Sequence, residues 1–241
     1  MRLIFVRHAE PNYELDTITP KGWREAECLA QRVAGWNVQQ VYCSPLGRAQ
    51  DTASLPLKAL RQQAITLDFI QEFKGRIIDP SSGKEVICWD ILPERWIDDP
   101  LFFDKDRWSE CEIFKGTNCL KEYRYVTGKF DELLAGYGYH RCGSGYRVDE
   151  HREDTIVLFC HLGVTCVILS HLLGISPMLA LHSFFIPASS VTIVQSEERT
   201  AGLARFRCQS VGDTSHLYNG GEPVSHMASF AVPFQERDYP R

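Results

Sequence analysis

No two cysteines of this sequence form a C-x-x-C pair, although nine are scattered along it between Cys28 and Cys208. That spacing is what structural zinc sites and thioredoxin-like motifs need, so neither is signalled. Cys160 in VLFCH and Cys166 in VTCVIL lie inside apolar runs, where a thiol packs as a small hydrophobe. Reduced thiols are expected. No apolar run reaches membrane-spanning length, and Arg7 comes too early for a signal peptide. A basic surplus is also missing: 26 Lys and Arg face 31 Asp and Glu, a net charge of -5. Nucleic-acid binders carry the opposite balance. Neither nucleic acid nor a membrane is therefore an expected partner, and a cytoplasmic location is the expectation. Internal repeats and low-complexity tracts are absent too.

What is present is an ordinary globular composition, 44% hydrophobic and 24% charged over 241 residues, enough to bury a sizeable core. The chain opens with RLIFVRHAE, an apolar run at residues 3–6 that stops abruptly at Arg7 and His8. Such a run suits a buried parallel strand, whose C-terminal end is where ligands bind in open α/β sheets. A helix is predicted next, with Thr19 as N-cap, Pro20 in its first turn and Trp23, Ala26, Ala30, Val33 and Ala34 as its apolar face. VQQVYCSP reads as a second strand, LGRAQDTASL as a helix stopping near Pro56, and AITLDFI as a third strand running into Gln71 and Glu72.

Residues 79–150 break the rhythm with Pro80, Pro93 and Pro100, with Trp89, Trp96 and Trp108, and with a predicted glycine-tyrosine loop, GYGYHRCGSGYR. A helix over 120–134 presents Tyr123, Val126, Phe130 and Leu133. Alternation resumes with the strand DTIVLFCH and the helix GVTCVILSHLLG, and SSVTIVQSE and LARFRCQSVGD are predicted to pair as an antiparallel hairpin. The expected fold is α/β: a three-layer αβα sandwich with a mostly parallel sheet and an antiparallel edge. One domain is expected over 1–241, with an inserted, mainly helical or loop segment at about 79–150 and an irregular tail at about 220–241.

Parallel strands bring their C-terminal ends to one rim, where Arg7, His8, Glu72 and His161 would meet Arg48 from the helix after the second strand. Two guanidiniums and two imidazoles in one pocket suit a phosphate. A neutral imidazole among them can act as a nucleophile towards phosphorus, with neighbouring cations depressing its pKa. Taken singly, His8 reads equally as a strand-end histidine and Glu72 as a surface residue. His171 and His182 read as structural, and no carboxylate-histidine spacing signals a metal.

RHAE after the first strand, CSPLGRAQDTA some forty residues on, QEFKG and the late CHLGV, in that order, resemble the histidine phosphatase (phosphoglycerate mutase-like) superfamily. VGDTSHL resembles its C-terminal segment. The resemblance implies His8 as the phosphorylated nucleophile, Glu72 as proton donor, and Arg7, Arg48 and His161 as phosphate-binding residues. It implies no metal or organic cofactor. The implied activity is a histidine acid phosphatase-type phosphomonoesterase with a small phosphorylated substrate. The alternatives are a phosphomutase, or a catalytically weak phosphate-binding or interaction module on the same fold. The mutases' Arg-His-Tyr-Gly after the acidic glutamate is not matched by EFKGR. Ala9 stands for the usual glycine, Pro11 for a threonine and Glu14 for an asparagine, for which Asn12 is a candidate substitute in contacting substrate. Leu162 in HLGV is expected to narrow the pocket. Cysteine-based phosphatase chemistry fails on spacing, since four residues separate Cys43 from Arg48 where five are needed. The aspartate-based motif fails at Asp104 and Asp106, which Trp108 follows where Thr or Val is required.

Overall fold

In the computed structural model, residues 1–80 and 82–227 are described. Strand β1 (Arg2–Arg7) is followed by a short ribbon, β2 (Pro11–Asn12) with β3 (Thr17–Ile18), that folds the next loop back on itself. Thr19 caps α1 (Pro20–Val33) as expected, its hydroxyl accepting from the Gly22 N–H. The buried face of α1 differs from the expected one. Glu25, Ala26, Cys28, Leu29 and Val33 are buried, while Trp23 and Ala34 are exposed. Small residues let the helix lie close to its neighbour, whereas the indole of Trp23 finds no space there.

Strand β4 (Gln40–Cys43) leads into α2 (Gly47–Leu60), which runs straight through Pro56 instead of stopping there. A proline inside a helix forfeits one backbone hydrogen bond; here it is buried against the body, and the helix ends at Arg61, whose φ of 54° terminates it. The third predicted strand is shorter than expected. Only β5 (Ala64–Thr66) pairs, and Asp68–Ile70 form a 3-10 turn that buries Phe69 and Ile70 and delivers the chain to Glu72.

The segment from 79 onward starts within the ribbon formed by β6 (Arg76–Ile78) and β7 (Glu85–Ile87), and continues through α3 (Pro100–Phe103) to α4 (Cys119–Ala135). Phe102 and Trp108 are fully buried, with Trp96 stacked on Phe102 at 4.8 Å and Trp108 edge-on to Phe114 at 5.4 Å. These rings are not a separate small core but belong to the same buried cluster as Leu3 and Phe5 of β1. Of its cations, Lys105, Arg107 and Lys115 are paired with Asp106, Glu110 and Glu112. The glycine-tyrosine stretch is not a loop: β8 (Tyr139–Cys142) and β9 (Gly145–Val148) form a hairpin. Tyr139 and Tyr146 alternate onto one face and bury against Phe206, which makes the stretch a sheet edge despite its glycines.

Strand β10 (Thr155–Cys160), α5 (Leu162–Leu173), α6 (Pro177–Ser183), the hairpin of β11 (Val191–Thr200) and β12 (Leu203–Asp213), and α7 (Ser215–Gly220) complete the described chain. The eight-stranded sheet has the order β5-β4-β10-β1-β11-β12-β9-β8. Its β5-β4-β10-β1 half is parallel, and the predicted hairpin continues it antiparallel. Both faces of β1 are covered, as its unbroken apolar run requires. Leu3 and Phe5 enter the core beneath α4 and α5; Ile4 and Val6 enter a second core with Leu29, Val33, Ala49 and Ala53 of α1 and α2. These are the expected three layers.

After α7 no regular element follows to residue 227, yet this stretch is anchored. Glu222 pairs with Lys21 and Arg24, and the Ser225 hydroxyl donates to Glu10 at 2.6 Å. The rest of the expected tail, 228–241, lies outside the described residues. Among the described residues no helix is long and apolar enough to cross a membrane.

Phe130 of α4 is fully buried with its ring 6.1 Å from that of Phe5. Phe130→Ala is expected to cost about 3–5 kcal/mol in denaturant unfolding. The loss should appear in a single transition, because α4 and β1 share one core; a separate early transition would contradict this.

Candidate active site

Pairing register builds the site. Arg7 of β1 lies opposite Cys160 of β10, and Phe159 of β10 opposite Cys43 of β4. Three strands therefore end level, and the next residues, His8, His161 and Ser44, emerge side by side. His8 N–H donates to the Cys160 carbonyl and Ser44 N–H to the Phe159 carbonyl. The two imidazole centroids are 5.1 Å apart, and both residues are buried.

His8 is oriented by its own backbone. Its Nδ1 lies 2.8 Å from the Ala9 carbonyl, which can only accept, so Nδ1 carries the proton and Nε2 the lone pair. Burial pushes the His8 pKa well below its usual 6.5, and the Arg7 charge adds to this more than Arg48 does; only the Ala9 hydrogen bond opposes them. The sequence argument credited the cations, but desolvation is the larger cause. His161 is depressed likewise, by burial first and then by His8, Arg48 and Arg7. Its Nε2 meets the Ser44 hydroxyl at 2.8 Å.

Arg7 is 3% exposed and donates through one terminal nitrogen to the Ile186 carbonyl at 2.5 Å. Arg48, in the first turn of α2, pairs with Asp16 at 2.6 Å and lies 5.5 Å from the centre of the Tyr13 ring. The other Asp16 oxygen accepts from the Gly47 N–H, and a side chain on Gly47 would overlap the Asp16 carbonyl. The buried Nε of Arg7, Nε of Arg48 and Nδ1 of His161 have no hydrogen-bond partner among the described residues. Three such buried nitrogens in one place are suited to a polyoxygen anion.

Glu72 joins this group although no strand ends at it. Its Oε1 accepts from the Phe73 N–H at 2.8 Å and from the Val164 N–H of α5 at 3.2 Å. Enclosure of the carboxyl raises its pKa, outweighing the Phe73 hydrogen bond, Arg7, the Val164 hydrogen bond and Arg48, all of which lower it. All five residues expected at the rim are thus brought together.

Residues 3–87 match the family model described as histidine phosphatase superfamily (branch 1). Phosphoserine phosphatase 1 of Hydrogenobacter thermophilus is 25% identical over 211 residues, which are 83% of this chain and 88% of that protein. Among solved structures, the phosphoserine phosphatase of Entamoeba histolytica, in complex with phosphoserine, has a TM-score of 0.57 at 21% identity. That match covers 90% of this chain and 98% of the other. Mycobacterial glucosyl-3-phosphoglycerate phosphatase has a TM-score of 0.59 at 16% identity, covering 88% of this chain and 98% of the other. At these identities the structural likenesses establish the fold. The family resemblance itself spans residues 3–87.

The departures from the family pattern are absorbed locally. Ala9 packs with Ile18 and Ala26, and its N–H donates to the Thr52 hydroxyl at 2.9 Å. Pro11 is buried in β2, and Glu14 is exposed. Leu162 packs into the core beneath the sheet, so it does not narrow the pocket as its bulk suggested. Asn12 commits its carbonyl oxygen to the Leu15 N–H at 3.2 Å, closing its own turn. Its neighbour Tyr13 reaches the site instead, edge-on to His8 at 6.5 Å and close enough to Arg7 to favour its charge. Nothing in the sequence signals Tyr13 or Asp16, because their contacts depend on the β2–β3 ribbon folding back. Ser44 and Thr52 lie within CSPLGRAQDTA, and their side-chain bonds to His161 and Ala9 emerge only from the register of the strands. His171 is paired with Asp131 at 2.9 Å, and His182 lies against Met178 and Phe102, both away from the rim.

With its Nδ1–H held by Ala9 and its ring buried, His8 should stay neutral below pH 6.5. Nitrogen-15 NMR of the imidazole is expected to show the Nδ1–H tautomer down to pH values well under 6.5. An ordinary titration midpoint there would contradict the geometry.

Proposed function

We propose that this protein is a phosphomonoesterase that hydrolyses a small phosphorylated metabolite through a phosphohistidine on His8. The observation that carries this reading is the single-lone-pair geometry of His8, buried beside two guanidiniums whose Nε atoms are unpartnered. Nε2 of His8 attacks phosphorus, and the ester P–O bond breaks as the N–P bond forms. The Ala9 carbonyl, already bonded to Nδ1–H, stabilises the positive charge the ring then acquires. Arg7, Arg48 and His161 bind the phosphoryl oxygens and offset their charge in the transition state.

The leaving alkoxide takes a proton from Glu72, whose raised pKa favours the acid form. Both backbone donors go to Oε1, so the proton resides on Oε2. Glu72, now a carboxylate, accepts a proton from the water that attacks the phosphohistidine, and inorganic phosphate leaves. Arg48 exchanges part of its bond with Asp16 for the substrate. The named activities of the relatives, on phosphoserine and glucosyl-3-phosphoglycerate, support a small phosphorylated substrate over a macromolecular one.

Phosphate release from an aryl phosphate in excess chelator tests the reading. Wild type is expected to turn over at the same rate with and without chelator, and His8→Ala to give no release while remaining folded. Activity retained by His8→Ala would end the assignment. Glu72→Gln should slow an alkyl phosphate by about 10²–10⁴-fold and an aryl phosphate much less, because only the poor leaving group needs a proton. The kcat/KM profile should be bell-shaped. Its acid limb, from protonation of His8, should fall below pH 6.5, and its alkaline limb, from deprotonation of Glu72, above pH 4.5. Glu72→Gln should remove the alkaline limb.

A further inference from the structure

Glu72 occupies a place that ought to make it an anion. Val164 is the third residue of α5, so the bond from its N–H puts the carboxyl at that helix's N-terminal turn. Partial positive charge there favours a carboxylate. The Phe73 N–H, Arg7 and Arg48 act in the same direction. The remaining titratable neighbours are the thiols of Cys160 on β10 and Cys166 on α5, both fully buried. Only exclusion of water favours the acid form.

Gly163 shows which side chain excludes it. A Cβ at Gly163 would lie 2.8 Å from Glu72 Oε1, 2.8 Å from Trp89 Cη2 and 3.0 Å from Trp89 Cζ3. The carboxyl oxygen and the edge of the indole therefore share the notch that this glycine leaves. Trp89 is 7% exposed and is held from two sides. The N–H of the preceding Cys88 donates to the Gly75 carbonyl at 3.2 Å, and the indole packs 6.2 Å from the Phe73 ring. An indole covers a large apolar area with few rotatable bonds, which suits it to keep one carboxyl dry.

We propose that Trp89 is a positioning residue that shields the Glu72 carboxyl from water at the start of α5, with Gly163 as the notch that admits both groups. This rests on the reading of Glu72 as the proton donor. An indole wall of this kind turns a helix-terminal carboxylate into an acid while leaving Oε1 fixed by its two N–H donors.

Carbon-13 NMR of labelled glutamate carboxyls, with Glu72→Gln to assign the signal, measures the Glu72 midpoint directly. Trp89→Gln is expected to lower that midpoint by about one pH unit or more, and Trp89→Phe to leave it near wild type. The alkaline limb of kcat/KM should move with it, and alkyl phosphates should lose more rate than aryl phosphates. An unmoved midpoint in Trp89→Gln, with His8-dependent turnover intact, overturns the wall and leaves the phosphatase reading standing. A lowered midpoint in a protein whose wild type has no turnover keeps the wall and removes that reading. If Trp89→Gln does not fold, Trp89→Leu makes the same test with a smaller expected shift, and an unmoved midpoint there is equally decisive against the wall.

Discussion

A buried guanidinium without a carboxylate is the constraint on which the rest of the site depends. Arg7 ends a strand that is covered on both faces, and its side chain donates to the Ile186 carbonyl. Removing such a cation from water costs several kcal/mol unless opposite charge is supplied. A carboxylate bonded directly to it would offset that cost and also occupy the place of an anionic ligand. The carboxylate of Asp16 instead engages Arg48, at the mouth of the site and partly exposed, where the bond can be exchanged.

Enclosure sets the protonation of the groups around it, with the positive field acting alongside for the histidines and against it for Glu72. Two histidines stay neutral because burial disfavours imidazolium, and the two neighbouring arginine charges add to that. Neutrality alone does not make a nucleophile, since either ring nitrogen could carry the hydrogen. The Ala9 carbonyl decides, and it can do so because the chain turns sharply at the end of β1, where the Ala9 N–H is taken by Thr52. Thr52 in turn donates to the carbonyl of Arg48, so nucleophile and guanidinium are linked by one hydroxyl. The geometry of the site is a consequence of strand register and of one turn of α2.

How much of this the sequence discloses follows from the range of each interaction. Strands β1, β4 and β10 were legible because an apolar run covered on both faces has no other stable home, and the Thr19-Pro20 cap was legible because its bond is local. Pro56 misled, since burial of α2 outweighs one lost backbone bond. The extent of β5 was overestimated, because Phe69 and Ile70 reach the core by a 3-10 turn that periodicity does not distinguish from a strand. The GYGYHRC hairpin was missed because its stability comes from Phe206, a partner sixty residues away. The five rim residues were found through ordered motifs. Tyr13, Asp16 and Trp89 were not, as each acts through a contact made by folding a loop back.

Trp89 also changes what the segment beyond residue 87 does. The stretch matching the family model ends at 87 and contains His8, both guanidiniums and Glu72. Only His161 of the five lies outside it. Within that stretch the Phe73 N–H, Arg7 and Arg48 all favour the carboxylate. The apolar surface against it arrives two residues later, on a turn pinned to Gly75. The proposed shielding of Glu72 thus comes from a segment that reads from sequence as an insertion packed over the main body. On the proposed reading, changes at Trp89 act on the strength of the proton donor through one indole.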